Sequence, residues 1–153
     1  WTVGAFNRDL PYDEFVKRIV PKVEAIKLGH PSERTNAFGP MVDAAAKKKT
    51  LEYIETGKKE GRLLIGGKEG PKNGHYVVPT VFADVSPTAK IAQEEIFGPV
   101  LAIIKVKDFA EGLAVANNTE YGLTGSVFTK DEAKKELCRR QFHVGNFYIN
   151  RKC

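Results

Sequence analysis

Gln93-Glu94-Glu95-Ile96-Phe97-Gly98-Pro99-Val100-Leu101-Ala102-Ile103-Ile104-Lys105-Val106 joins an acidic pair and an aromatic residue, through a Gly-Pro turn, to an apolar run. Residues 90–95 have the composition of a short helix, and Pro99 biases Gly98 away from helical geometry. Residues 100–104 are an unbroken apolar run, the pattern of a strand buried on both faces of a parallel sheet. The acidic pair and the aromatic ring therefore fall at a helix-to-strand junction. A carboxylate there can accept two hydroxyl hydrogens from a vicinal diol, and a ring beside it can cover a flat heterocycle. The competing interpretation is a solvated glutamate pair and a core phenylalanine.

Upstream, Phe15, Ile19, Val23 and Ile26 recur with helical spacing over residues 12–28, so one face is apolar. Pro21 should kink or split that helix, because it lacks an N–H and crowds the Lys17 carbonyl. Asp43 is placed to cap a helix reaching Glu60, with Gly61 at its stop. Ala46, Thr50, Leu51 and Ile54 line its inner side, and Glu55 with Lys59 form an i,i+4 pair. Residues 63–65 read as a strand closed by Gly66-Gly67. Residues 76–82 read as an extended stretch in which Pro79 removes a ladder donor, the mark of an edge or irregular strand.

Downstream, Asp108 with Glu111 and Thr129 with Glu132 are spaced as capping boxes for two helices. Strands are expected at residues 124–128 and 144–149, and at residues 1–6 with a turn at 7–9. Strands alternating with helices predict an α/β fold with a largely parallel sheet flanked by helices. No repeat or internal boundary divides residues 1–153, so a single domain is expected.

With 153 residues, 42% hydrophobic and 28% charged, the chain has enough apolar material for a real core. No apolar stretch approaches the ~20 residues needed to cross a bilayer, and no secretory leader is evident at Trp1, so no membrane partner is expected. Cys138 and Cys153 do not make a disulfide framework, which fits a reducing cytoplasm. The net charge of +5 permits nucleic-acid binding. The lysine runs at 47–49 and 58–59 nevertheless fall on a helix without interleaved aromatics, so no nucleic-acid partner is expected. Cys138 and His143 lack a second ligand pair, and His30 and His75 stand alone, so no metal is expected.

Glu94-Glu95-Ile96-Phe97-Gly98-Pro99 resembles the Glu-Glu-x-Phe-Gly-Pro signature of the aldehyde dehydrogenase superfamily. Residues 116–125, Ala-Asn-Asn-Thr-Glu-Tyr-Gly-Leu-Thr-Gly, and residues 142–150, Phe-His-Val-Gly-Asn-Phe-Tyr-Ile-Asn, follow in family order. The latter wording and the Asn-Arg-Lys-Cys ending resemble the Δ1-pyrroline-5-carboxylate dehydrogenase branch, which oxidises glutamate γ-semialdehyde to glutamate with NAD in proline metabolism. The resemblance runs from about Tyr12 to Cys153, and residues 1–11 match poorly. It implies that Glu95 holds the hydroxyls of the nicotinamide ribose, that Phe97 lies against the nicotinamide, and that Leu123 is a weaker cofactor contact.

The same resemblance implies what the chain lacks. The family's thiol lies in a Gly-Gln-x-Cys motif that is absent here. Cys138 is expected to be packed in a helix, and Cys153 matches a position that is not the nucleophile. Leu64-Ile65-Gly66-Gly67-Lys68-Glu69 imitates the general-base motif but matches a non-catalytic strand and turn. No Gly-x-Gly-x-x-Gly follows a strand, and the family's cofactor domain lies upstream. The expectation is a catalytic-domain segment, cut after the nucleophile and before the carboxylate-anchoring loop. Such a segment would have no catalytic residue of its own, would want the missing cofactor-binding domain as partner, and would form a homo-oligomer. The alternative is a non-catalytic folding or interaction module derived from that domain. An upstream Gly-Gln-x-Cys in the native reading frame would favour the first, and a true start at Trp1 the second.

Overall fold

Two three-stranded sheets, each in its own compact unit, organise the chain. The structure is a computed structural model that describes residues 4–6 and 12–151. The turn expected at 7–9 and the final Cys153 lie outside the described residues.

The first unit spans residues 12–105. It contains α1 (Tyr12–Glu24), α2 (Ala44–Glu60), β2 (Arg62–Ile65), β3 (Thr80–Ala83), α3 (Lys90–Gln93) and β4 (Val100–Ala102). β1 (Gly4–Phe6) belongs to the second unit. α2 starts where expected: Asp43 Oδ1 accepts the Ala46 N–H at 2.7 Å. It stops at Gly61, whose N–H still donates to the Gly57 carbonyl at 2.9 Å. Gly57 has a packing purpose, since a Cβ there would lie 2.7 Å from the Phe82 ring. The bare backbone therefore rests on Phe82, which is fully buried among Ile54, Val77, Val85, Ile91 and Ile96.

β3 is the middle strand, antiparallel to β2 and parallel to β4, and all four of its residues are buried. Of the two outcomes expected from Pro79, the edge is overturned and the irregularity holds, because residues 78–79 lie outside any strand, between the isolated Glu69–Val77 bridge and β3. The proline sits one residue before the ladder, and pairing begins with the Thr80 N–H donating to the Pro99 carbonyl at 2.8 Å. β4 corrects a second expectation. Its pattern is not buried on both faces: Leu101 is 38% exposed between half-buried Val100 and Ala102, and β4 is also an edge strand among the described residues.

α1 runs through Pro21 without a break and ends at Glu24, four residues before the expected end. The reason lies in residues 27–29. Lys27 O accepts the Ala37 N–H, Leu28 bridges Phe38, and the Gly29 N–H donates to the Phe38 carbonyl. Those backbone groups are committed elsewhere and cannot extend a helix. At the other end of α1, the Tyr12 hydroxyl accepts the Asp84 N–H at 2.9 Å. Asp84 takes a left-handed φ of 57° and pairs with Arg62 at 2.8 Å. Arg62 and then Tyr12 hold its carboxyl below the usual range. Glu55 pairs with Lys58 at 2.6 Å, three residues on, and not with Lys59.

In the second unit β5 (Thr124–Phe128) lies between β1 and β6 (Asn146–Ile149), all parallel. α4 (Phe109–Asn117) and α5 (Glu132–Gln141) supply Leu113 and Cys138 to a small core around Val127. Asp108 caps α4 by accepting the Glu111 N–H at 2.8 Å, while Glu111 reaches back to the Lys107 N–H at 2.6 Å. The cap of α5 is Asp131, not Thr129: Asp131 Oδ1 accepts the Lys134 N–H at 3.2 Å. The Thr129 hydroxyl instead accepts the Asp131 N–H at 3.1 Å, in the turn before the helix, while the Thr129 backbone N–H and carbonyl pair with the Asn150 side chain at 2.9 and 3.0 Å. Three of the four described strand pairings are parallel, so the architecture is the expected α/β type with helices and small sheets.

Gly57→Ala separates helix propensity from packing. Alanine normally gains about 1 kcal/mol over glycine inside a helix. Overpacking a rigid core costs about 1–3 kcal/mol, and the new methyl would meet a fully buried ring. The expected outcome is a lower melting temperature by calorimetry. A rise would show that α2 can lift off Phe82 at no cost.

Candidate functional site

The segment from Lys90 to Gly98 is held along one face of α2. Ala89 precedes α3 and has no side chain to cap it, so Glu60 at the end of α2 does so. Its two carboxylate oxygens accept the Lys90 and Ile91 N–H groups, each at 3.1 Å. α3 is only four residues long, and Glu94 already has extended ψ. The Glu94 carboxylate meets the Tyr53 hydroxyl in a short hydrogen bond and lies 3.8 Å from Lys90 Nζ. Lys49 Nζ donates to the Glu95 carbonyl at 3.2 Å.

Below Gly98 the fit is tight. A Cβ there would lie 2.5 Å from Thr50 Cγ2, and Thr50 is itself fully buried with its hydroxyl donated to the Ala46 carbonyl. With both ends held, the middle has little freedom. Ile96 is buried and pins the loop to the core. Phe97 adopts a left-handed φ of 58° and is 77% exposed. A non-glycine residue in that region costs about 1–2 kcal/mol, which the clamps on either side must offset.

Glu95 is half-buried, and its carboxylate makes no hydrogen bond or ion pair among the described residues. The competing interpretation of this stretch therefore fails for the ring, while both glutamates reach solvent. Phe97 is not in the core, and the glutamates are not equivalent: Glu94 is engaged with Tyr53 whereas Glu95 is left with acceptor oxygens to offer. An unpaired carboxylate beside an outward-held ring suits a diol attached to a flat heterocycle.

Leu123 belongs to the other unit. It precedes β5, is 79% exposed, and its carbonyl accepts the Asn146 N–H at 3.0 Å. The turn before it is close: the Gly122 carbonyl accepts the Gly145 N–H at 2.7 Å, and a Cβ on Gly122 would meet the His143 carbonyl at 2.8 Å.

Other sequence candidates resolve into structural parts. Cys138 is 2% exposed, and burial pushes its thiol up. Arg139 and Arg140 both pair with Glu136, at 3.2 and 2.8 Å. Gly66 and Gly67 take φ values of 85° and 76° in the turn closing β2, where the Gly67 N–H donates to Thr80 Oγ1. The lysine run is also absorbed: Lys47 pairs with Glu69, Lys48 lies 3.9 Å from Glu52, and Lys49 serves the Glu95 carbonyl. Among the described residues no helix is long and apolar enough to cross a membrane.

Sequence reasoning missed Lys49, Tyr53 and Glu60 as supports of the site. A signal existed, since they recur at spacings of four and seven and so share a helix face. Being polar, they were invisible to a search for apolar periodicity.

The aldehyde dehydrogenase family pattern matches residues 8–153. A 1-pyrroline-5-carboxylate dehydrogenase of Geobacillus sp. is 51% identical over 142 residues, 93% of this chain. That of Bacillus subtilis is 48% identical over the same share. The chain spans about 28% of the length of these curated relatives. Among solved structures, 1-pyrroline-5-carboxylate dehydrogenase from Thermus with bound NAD is similar with a TM-score of 0.88 and 51% identity. That match covers 92% of this chain and 27% of the other.

The burial of Cys138 makes a chemical prediction. In a Cys153→Ser background, Cys138 should react with a thiol reagent at least about 100-fold more slowly in the folded chain than in denaturant. Comparable rates would mark it as an accessible, activated thiol.

Proposed function

The chain belongs to the aldehyde dehydrogenase family, and from that premise we propose that it forms the nicotinamide end of an NAD-dependent dehydrogenase acting on glutamate γ-semialdehyde. The product would be glutamate, and the step would belong to proline catabolism in the cytoplasm. Support for the substrate comes from the identity of about half to relatives named 1-pyrroline-5-carboxylate dehydrogenase. The single observation that carries the site is the unpaired Glu95 carboxylate next to Phe97, held outward in left-handed geometry.

These residues fit the nicotinamide ribose and ring. Glu95 would accept hydrogen bonds from both ribose hydroxyls, Phe97 would lie against the nicotinamide and exclude water from it, and Leu123 would add an apolar contact. NAD supplies the hydride acceptor when bound. Bringing the reacting carbons into line depends on how firmly Glu95 and Phe97 are aimed, which is the entropic part of catalysis.

No residue of this chain takes the nucleophile or base role. The Gly-Gln-x-Cys motif is absent, Cys138 is buried, and the Gly66-Gly67 turn is structural. The chain alone would therefore be inactive. In the parent it would work as part of one catalytic domain with a cofactor-binding domain beside it, in a homo-oligomer. The exposed Leu63 and Leu101 side chains would be surfaces for such neighbours.

In the full-length parent, Glu95→Gln replaces one charged acceptor oxygen with a donor. A charge-assisted hydrogen bond contributes about 1.5–3 kcal/mol, so single-turnover hydride transfer should slow roughly tenfold or more. An unchanged single-turnover rate would remove the role assigned to Glu95.

A further inference from the structure

The assignment of Glu95 leaves unexplained why the preceding glutamate is so heavily engaged. Glu94 is largely exposed, where an ion pair or hydrogen bond contributes little to stability. Nevertheless three side chains converge on it and on the next carbonyl. The Tyr53 hydroxyl binds the Glu94 carboxylate, Lys90 Nζ stands 3.8 Å from it, and Lys49 Nζ holds the Glu95 carbonyl. The Tyr53 ring is gripped as well, with Lys90 Nζ 5.2 Å and Lys49 Nζ 5.6 Å from its centroid. Tyr53 thus has its ring fixed by two cations and its hydroxyl fixed on Glu94. Its backbone sits on α2, which is itself set on Phe82 through Gly57.

We infer that Tyr53 is a positioning residue for the nicotinamide-ribose site, acting through Glu94 to fix the direction in which the Glu95 carboxylate points. This rests on the ribose role proposed for Glu95. The physical argument is one of leverage. Glu95 lies between a carbonyl held by Lys49 and the buried Ile96, so its backbone position is secured. What remains is a shift of the backbone at Glu94, just past the end of the four-residue α3, and such a shift would carry the Glu95 side chain with it. Tying the Glu94 carboxylate to a rigid phenol opposes that shift. Tyrosine suits the task because its hydroxyl is carried on a ring with only two side-chain torsions, so little entropy is lost on fixing it.

The test is a double-mutant cycle in the full-length parent, with Tyr53→Phe, Glu94→Gln and the pair, alongside Glu95→Gln. Nucleotide affinity is read by NADH fluorescence titration, and kcat and KM are read separately for NAD and for the aldehyde. Tyr53→Phe keeps the ring between the lysines and removes only the hydroxyl, so folding should survive, which the melting temperature checks. The expected result is an NADH dissociation constant raised about fivefold in Tyr53→Phe, in Glu94→Gln and in the pair alike, because the two groups act as one unit. The aldehyde KM should stay unchanged.

If Glu95→Gln weakens NADH while Tyr53→Phe leaves it unaltered, the positioning role is wrong and the ribose role stands. If neither changes NADH affinity, the ribose role itself has failed. A Tyr53→Phe variant that loses melting temperature and raises both KM values together would make Tyr53 a fold residue only, which also overturns the inference.

Discussion

Helix α2 rests on the Phe82 ring with no side chain between them, and the rest of the site depends on that closeness. Any residue larger than glycine at position 57 would push the helix outward, since a Cβ would already stand 2.7 Å from the ring. At the observed separation Thr50 fills the space that Gly98 leaves, Tyr53 reaches Glu94, Lys49 reaches the Glu95 carbonyl, and Glu60 caps α3. One helix face sets the path of the segment from Lys90 to Gly98. The apolar contacts supply the energy, because burying side chains such as Phe82, Ile91 and Ile96 stabilises by roughly 1.5–3 kcal/mol each. The polar contacts supply direction, each contributing little in exposed surroundings but together leaving Phe97 and Glu95 no other way to face.

The strain at Phe97 makes sense only in that setting. A left-handed phenylalanine is unfavourable by itself, and nothing in the core needs its ring, which stands in solvent. The segment is fastened before it by Tyr53 and Lys49 and after it by Gly98 on Thr50, so relaxing Phe97 would require breaking one of these anchors. Strain kept by rigid surroundings beside an unpaired carboxylate is the observation on which the proposed binding role rests. The same reasoning separates Glu95 from the other acidic residues. Glu14, Glu69 and Glu136 each have a cationic partner that pulls the carboxyl down, and Asp13, Glu24 and Glu120 lack one but are exposed, whereas Glu95 is half-buried and unpaired among the described residues.

Much of this was legible in the sequence where local chemistry decides the outcome. The Asp43 and Asp108 caps, the Gly61 stop, and the strands around Thr124–Phe128 and Leu63 follow from short-range preferences. The Glu-Glu-x-Phe-Gly-Pro stretch and its neighbours carried the family. Where tertiary contacts decide, the sequence was a poorer guide. Pro79 looks like an edge residue because its place one step outside the ladder depends on Pro99, twenty positions on. Residues 100–104 look doubly buried because the run is apolar throughout, yet β4 has a strand on one side only among the described residues. Thr129 looks like a cap, but its hydroxyl serves the Asp131 N–H and Asp131 caps the helix, a choice between two capping residues two positions apart. The brace of Lys49, Tyr53 and Glu60 is polar and periodic at once, and reading it requires knowing what lies opposite.

We propose that the α2 clamp presents Glu95 and Phe97 to the nicotinamide end of NAD. A crystal structure of the full-length parent with NAD bound tests it most directly. The Glu95 carboxylate oxygens should lie within about 2.5–3.0 Å of both hydroxyls of the nicotinamide ribose, with Phe97 still at positive φ and its ring against the nicotinamide. A structure in which Glu95 turns away to a lysine, or in which Phe97 relaxes to negative φ and folds into the core, would contradict the account.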